Sequence, residues 1–255
     1  MADPIRPLLE VQGLVKSFGA LRASDGISLD VLPGEIHALI GPNGAGKTTA
    51  INQLSGEMKS DDGRVIFDGR DITTLPVEKR ARLGLARSYQ ITSIFPNFTV
   101  LDNVAMAVQS TQGHNFRFWQ AAKTDLRRTE PAIDILTRVG LSDLTLTIAG
   151  ELAHGQQRQL ELAMALATHP KMLLLDEPMA GMGPEESRRM TDILLPLKGQ
   201  LSILLVEHDM DVVFALADRI TVLVLGKPIA TDTPDNIRKN QQVRAAYLGD
   251  AGDAP

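Results

Sequence analysis

Gly41-Pro-Asn-Gly-Ala-Gly-Lys-Thr48 decides the fold, because it fits the spacing G-x-x-x-x-G-K-[ST] that wraps backbone N–H groups around the phosphates of a nucleotide. The apolar run Ile36-His-Ala-Leu-Ile40 precedes it as a buried strand should. Residues 48–54 read as a helix that Gly56 stops. Strand, glycine loop and helix together are the context the motif requires. A plain glycine-rich turn is the competing reading, but a chance match in a chain of this length is expected about once in a hundred.

Each residue type has a task. Glycines let the chain bend and approach oxygen atoms closely, while the helix N-terminus adds positive partial charge. Lys47 is expected to hold the β- and γ-phosphates and Thr48 to offer its hydroxyl to Mg²⁺. Gly41, Pro42, Asn43, Gly44, Ala45, Gly46, Lys47, Thr48 and Thr49 form the expected nucleotide-contacting set.

With 255 residues the chain suits one well-cored domain carrying sub-domains, and the phosphate loop occurs once. The net charge of −5 gives no domain-wide positive field, so nucleic acid is not an expected partner. Cysteine is absent, which excludes disulfides and thiolate metal sites and fits a reducing compartment. The first residues, Met1-Ala-Asp-Pro-Ile-Arg-Pro7, lack the basic-then-apolar order of a signal peptide, so export is not expected. No apolar run approaches the ~20 residues that cross a bilayer, and any membrane passage is left to another chain.

Apolar runs over 8–11, 27–31, 36–40 and 64–67 predict a strand-rich first third. The middle reads as helical: Thr99-Val-Leu-Asp102 is a capping-box pattern opening a helix through Val108, and residues 131–139 carry Ile133, Leu136 and Val139 at helical spacing. The last third alternates, with strands over 172–175, 203–206 and 220–225 and helices over 184–197 and 210–217, the β-α order of a largely parallel sheet. Pro196 is expected to kink the first of these helices or end it early. The segment 249–255 is small and polar and is expected to fray, and there is no internal repeat.

Met172-Leu-Leu-Leu-Asp-Glu-Pro178 ends an apolar strand in two carboxylates, at the sheet edge where open α/β sheets bind ligands. Asp176 is read as a magnesium-shell residue and Glu177 as the carboxylate that polarises the attacking water. Alone, such a strand end more often runs into a solvated turn; beside a phosphate loop it gains weight. Leu152-Ala-His-Gly-Gln-Gln-Arg158 leads into a helix with Leu160, Met164 and Ala167 on one face, so Gly155 and the first turn present N–H groups to an anion.

At these separations, the phosphate loop, the Asp-Glu strand end and the Gly-Gln helix start resemble the nucleotide-binding subunits of ABC transporters, over residues 8–249. The resemblance implies an α/β P-loop NTPase with a RecA-like core sheet, an antiparallel β subdomain and a helical subdomain over about 91–160, with 1–7 and 250–255 as flexible termini. It implies a head-to-tail dimer in which Ala153, His154, Gly155 and Gln156 of one subunit face the γ-phosphate held by the other. Phe18 then resembles the aromatic that stacks on adenine, and Gln90 the glutamine that touches both Mg²⁺ and the attacking water. His208 resembles the histidine that holds the γ-phosphate, with Asp209 as a plausible N-cap of the following helix. Taken alone, each of the three has a bland alternative: a core Phe, a surface amide, a structural His.

Two positions depart from the family pattern: Ala153 stands where many members have Ser, and Gly183 where an Asp or Asn crosses the interface. Both are expected to weaken communication between the two sites while leaving the phosphate and metal chemistry in place.

The segment Ala86-Arg-Ser-Tyr-Gln-Ile-Thr-Ser-Ile-Phe-Pro-Asn-Phe-Thr-Val-Leu-Asp-Asn-Val104 and the close Ala246-Tyr-Leu-Gly249 look like the branched-chain amino acid uptake ATPases, of the larger LivG type. That resemblance implies a second, homologous ATPase, two membrane permeases gripped near Phe95 and Phe98, a periplasmic binding protein acting indirectly, and a place on the inner face of the plasma membrane. The spacer 109–130 contains the single Trp and several cations, and is read as an amphipathic helix packed on its own domain in preference to a membrane contact. The rivals are the ATPase of a lipopolysaccharide-type exporter and a soluble, non-transport ABC ATPase. A GTP switch is disfavoured by the lack of an Asn-Lys-x-Asp motif.

Overall fold

A computed structural model describes residues 6–88, 94–111 and 126–248. The elements run β1 (Leu9–Phe18), β2 (Leu21–Val31), β3 (Ile36–Ile40), α1 (Lys47–Ser55), β4 (Asp62–Phe67), β5 (Arg70–Asp71), α2 (Val77–Arg82) and β6 (Leu85–Arg87). There follow α3 (Val100–Thr111), α4 (Leu126–Arg138), α5 (His154–Ala167), β7 (Met172–Asp176), α6 (Pro184–Leu194) and β8 (Ser202–Val206). The chain closes with α7 (Met210–Leu216), β9 (Arg219–Val224), β10 (Lys227–Asp232) and α8 (Pro234–Lys239) before a last helical turn.

Two sheets result. The larger has the order β10-β9-β3-β8-β7-β6 and is parallel except for β10, which returns antiparallel beside β9. The smaller, β2-β1-β4-β5, is antiparallel. Strands β3, β7 and β8 are buried along their whole length, which is why they read as unbroken apolar runs.

One core lies between the two sheets and takes in Ile51 and Leu54 of α1 together with Phe67, Leu174 and Leu204. A second covers the opposite face of the parallel sheet with Met190 and Leu194 of α6 and Val212 and Leu216 of α7. A third, formed by Val104, Leu136, Leu160 and neighbours, belongs to the α3-α4-α5 bundle and makes it a unit with its own interior. This is the α/β architecture, with antiparallel and helical subdomains, that the sequence implies.

Local chemistry sets the boundaries. Gly56 ends α1 in the left-handed region at φ 88°. Buried Arg80 donates to the Gln53 and Leu54 carbonyls at 2.8 and 2.6 Å, satisfying orphan acceptors of that helix end, and burial pushes its guanidinium down to about 10. The Asp102 amide donates to Thr99 Oγ1 at 3.0 Å while that hydroxyl donates to Asp102 Oδ2 at 2.6 Å, the expected opening of α3. Asp209 Oδ1 accepts from Asp211 and Val212, which confirms it as the N-cap of α7. Helix α6 stops at Leu194 and a 3-10 turn, Leu195–Leu197, carries Pro196, so the proline ends the helix early.

Candidate functional site

The phosphate loop and the ends of β7 and β8 gather at the carboxyl edge of the parallel sheet, because register aligns the strand ends. Leu39 lies opposite Val206, and Val206 opposite Asp176, so the phosphate loop, Glu207-His208 and Asp176-Glu177 leave the sheet side by side. The topology thus converts three distant sequence motifs into one rim.

The phosphate loop is seated by both sheets. A Cβ at Gly41 would collide with the Leu223 carbonyl oxygen on β9, and one at Gly46, where φ is 100°, would collide with that of Ala23 on β2. Only glycine fits either place. The Gly226 amide donates to the Ala45 carbonyl at 2.9 Å, and the Ala45 amide to that of Pro42 at 3.1 Å, fixing the loop's curvature. Lys47 is buried and bends back over the loop, donating to the Gly41 and Pro42 carbonyls at 2.7 and 3.1 Å. Burial lowers its pKa, against the pull of the Glu177 and Asp176 carboxylates. Asn43, Gly44 and Thr48 are exposed around this cradle, while Pro42 and Thr49 are half-buried.

Asp176 is buried, and desolvation raises its carboxyl above the ordinary range although Arg87 Nη2 lies 3.0 Å from Oδ2. Arg87 on β6 also donates to Asn52 Oδ1 at 2.7 Å and Ser55 Oγ at 3.1 Å on α1, and pairs with Glu57 at 3.0 Å. Glu177, half-buried, adopts φ 50°, a left-handed conformation that costs a non-glycine residue energy. Its amide donates to the Val206 carbonyl at 2.9 Å, which holds that turn. Among the described residues no cluster of three or more His, Cys, Asp or Glu could hold a metal ion. One buried carboxylate and one exposed hydroxyl at a helix start instead fit a hard cation that shares oxygens with phosphate.

His208 is exposed, two residues past the end of β8. Phe18 is 49 % exposed at the end of β1, with Lys16 Nζ 5.7 Å from its ring centroid, so it is a surface aromatic and not a core one. Gln90 lies outside the described residues, as does the spacer over 112–125. Phe95 and Phe98 are both 47 % exposed and meet edge to face at 5.9 Å. Buried Asn103 holds their turn, accepting from the Phe95 amide at 2.7 Å and donating to the Phe95 and Thr99 carbonyls.

The start of α5 presents Ala153 and His154 outward, with Gly155 buried beneath and Gln156 half-buried. With no hydroxyl at Ala153 half a capping box survives: its amide donates to Gln156 Oε1 at 3.0 Å. Gly155 lies against Glu186 of α6, whose Oε2 accepts from the Gly183 amide at 3.1 Å, and Gly181 faces the His154 ring. The loop after Glu177 therefore touches the α5 start within one chain. No local sequence motif marks Arg87 or Glu207. For Glu207 the available signal was a carboxylate one residue beyond a fully apolar strand.

A phosphate loop on a parallel sheet, acids at the neighbouring strand end and an attached helical bundle define a P-loop ATPase of the cassette type. The chain belongs to the ABC transporter family: residues 24–180 match the family described as ABC transporter, and it is an ATP-hydrolysing subunit of that kind. Residues 227–253 match a second family, described as branched-chain amino acid ATP-binding cassette transporter. The high-affinity branched-chain amino acid transport ATP-binding protein LivG of Escherichia coli is 40 % identical over 254 residues, 96 % of this chain and 99 % of that one. The lipopolysaccharide export system ATP-binding protein LptB of Haemophilus influenzae is 32 % identical, covering 95 % of this chain and 98 % of its own. A crystal structure of an ATP-binding cassette of an ABC transporter in its ADP conformation superposes with TM-score 0.84 at 32 % identity, over 96 % of this chain and 99 % of that one.

Proposed function

We propose that this chain energises an importer for branched-chain amino acids or similar small amphipathic solutes, as one of two ATPase subunits docked beneath membrane permeases that a periplasmic binding protein feeds. The observation that carries the reading is the convergence of Lys47, Asp176, Glu177 and His208 on one sheet edge in a chain with 40 % identity to LivG. The stronger likeness to that protein than to LptB favours import over lipopolysaccharide export. Among the described residues no helix is long and apolar enough to cross a membrane, in keeping with a peripheral place at the cytoplasmic face. We take residues 8–249 as one ATPase unit, with its helical subdomain over about 91–160.

In this reading the loop amides from Gly41 to Thr49 wrap the phosphates of ATP, and Lys47 exchanges its two carbonyl partners for phosphate oxygens. Phe18 stacks on adenine. Thr48, Asp176 and Gln90 are the residues that would hold Mg²⁺, which neutralises charge developing on the phosphates. Glu177 orients the attacking water and His208 holds the γ-phosphate from the adjoining strand end. Ala153, His154, Gly155 and Gln156 of the second subunit cap the same phosphate, so each site needs two chains. Closure moves the segment around Gln90, and the Phe95-Phe98 turn passes that motion to a permease helix.

The test is uptake of labelled leucine, isoleucine and valine by cells lacking this chain. Uptake should fall, and return with the intact chain but not with Lys47→Ala. Undiminished uptake in the deletion strain would count against this solute class.

A further inference from the structure

Glu207 follows β8 with no solvent exposure, and its two carboxylate oxygens serve two different loops. Oε1 accepts from the Met179 amide at 3.0 Å, in the loop that follows Glu177. Oε2 accepts from the amide of His208 at 3.0 Å and lies 3.5 Å from that of Asp209. The His208 ring nitrogen Nδ1 is 3.7 Å from the same oxygen.

We propose that Glu207 is a positioning residue that clamps the loop after Glu177 to the loop carrying His208, so that the two shift as one body when nucleotide arrives. The proposal rests on the reading that Glu177 and His208 serve the γ-phosphate.

The physical case is one of geometry and cost. Burying a carboxylate is expensive unless several donors meet it, and here burial raises its pKa despite the backbone amides that hold it. No neutral side chain of the same reach supplies acceptors in both directions. Glutamine would turn an N–H₂ towards one of the two loops, donor against donor, and aspartate is one methylene too short to span them. The clamp also extends outward. Met179 is buried in the core beneath α6, Gly181 two residues on faces the His154 ring, and Gly155 lies against Glu186. One carboxylate thereby joins the residues that act on the chain's own nucleotide to the helix start offered to the second subunit.

The test compares Glu207→Gln, His208→Ala and the double variant in steady-state ATPase assays and in binding of a fluorescent ATP analogue. A loop displaced by an ångström can cost about 100-fold in turnover. For Glu207→Gln the expected result is a kcat loss of about that size, with KM and analogue affinity within about threefold of the parent. The losses in the double variant should fall short of the product of the two single losses, since part of the Glu207→Gln effect acts through His208. Where His208→Ala slows turnover, unchanged kcat in folded Glu207→Gln, or losses that multiply in the double variant, would overturn the clamp.

Amide hydrogen exchange reads the clamp without reference to hydrolysis. The Met179 and His208 amides should share one opening free energy in the unaltered chain and lose protection together in Glu207→Gln. Unequal protection in the unaltered chain overturns the clamp even where the variant fails to fold. If Glu177→Gln and His208→Ala leave turnover intact while the amides behave as expected, the site assignment fails and the clamp stands.

Discussion

The phosphate loop and the start of α5 are the two helix entries proposed to meet phosphate, yet one is held on every side and the other is not. Around the phosphate loop, two sheets close on Gly41 and Gly46, Gly226 fixes Ala45, and Lys47 is buried against carbonyls of its own loop. At α5, Ala153 and His154 face outward, the side-chain cap is absent, and one amide is held by Gln156. On the proposed function, the contrast teaches that one chain can preform its own phosphate cradle while leaving cleavage dependent on what a second subunit brings.

The largest expected effect lies on the phosphate-loop side. Glu177→Gln should lower kcat by about 1000-fold, within the range general-base removal produces, with ATP affinity within about threefold. A similar loss of affinity would mean that Glu177 helps to hold nucleotide.

Next comes a substitution that separates stability from function. Ala153→Asp supplies the missing N-cap and should stabilise the chain by about 1 kcal/mol, read as a raised thermal midpoint. The same carboxylate, set against the other subunit's phosphates, should cut ATPase activity by about 100-fold. Mixed with a Lys47→Ala chain it should regain activity, because the mixed dimer holds one site built from two intact halves. Failure to complement would place both halves in one chain. Ala153→Ser should act in the opposite sense, adding a hydroxyl contact to phosphate and raising turnover a few-fold, consistent with about 1 kcal/mol per hydrogen bond.

Phe18→Ala should weaken ATP binding by roughly tenfold, the size of one lost base stack, and leave kcat at saturation unchanged. The smallest effect falls on the strut beneath the phosphate-loop side, where Asp30 of β2 pairs with Arg219 of β9 at 3.0 Å. Hydrogen bonds from that guanidinium hold the Asp30 carboxyl below its usual range. A depressed carboxylate stabilises the fold above its unfolded pKa of about 3.9 and loses that contribution as pH falls through the folded value. Asp30→Asn should therefore flatten the acid limb of a thermal-midpoint profile below about pH 4 and leave neutral ATPase activity intact.

The phosphate-loop side was also the more legible. Residues 36–40 were read as a strand and form β3 without adjustment, and α1 differs from its expected span by one residue at either end. Their signals are local: an apolar run, a glycine loop, a stop. Strand β2 begins at Leu21, six residues before the apolar run at Ile27, because antiparallel pairing with β1 holds the polar stretch Arg22 to Gly26. Helix α4 begins at Leu126 and runs through Pro131, where the expected span began. Strand β10 carries Pro228 and polar edge residues and has no pattern of its own; its place comes from pairing with β9.

The same division holds at the site. Lys47, Asp176, Glu177 and His208, which share one rim, are announced by their sequence neighbours. Arg87 works through partners 30 to 89 residues away, and Glu207 reaches Met179, 28 residues away, which only the fold brings near.

The central claim, that cleavage is shared between chains, is tested most directly by ATPase rate against chain concentration, with mass followed by light scattering in the same samples. Rates rising with the square of concentration where monomers dominate, and falling to nothing on dilution, are the predicted result. A constant turnover per chain in samples that scatter as monomers would contradict it.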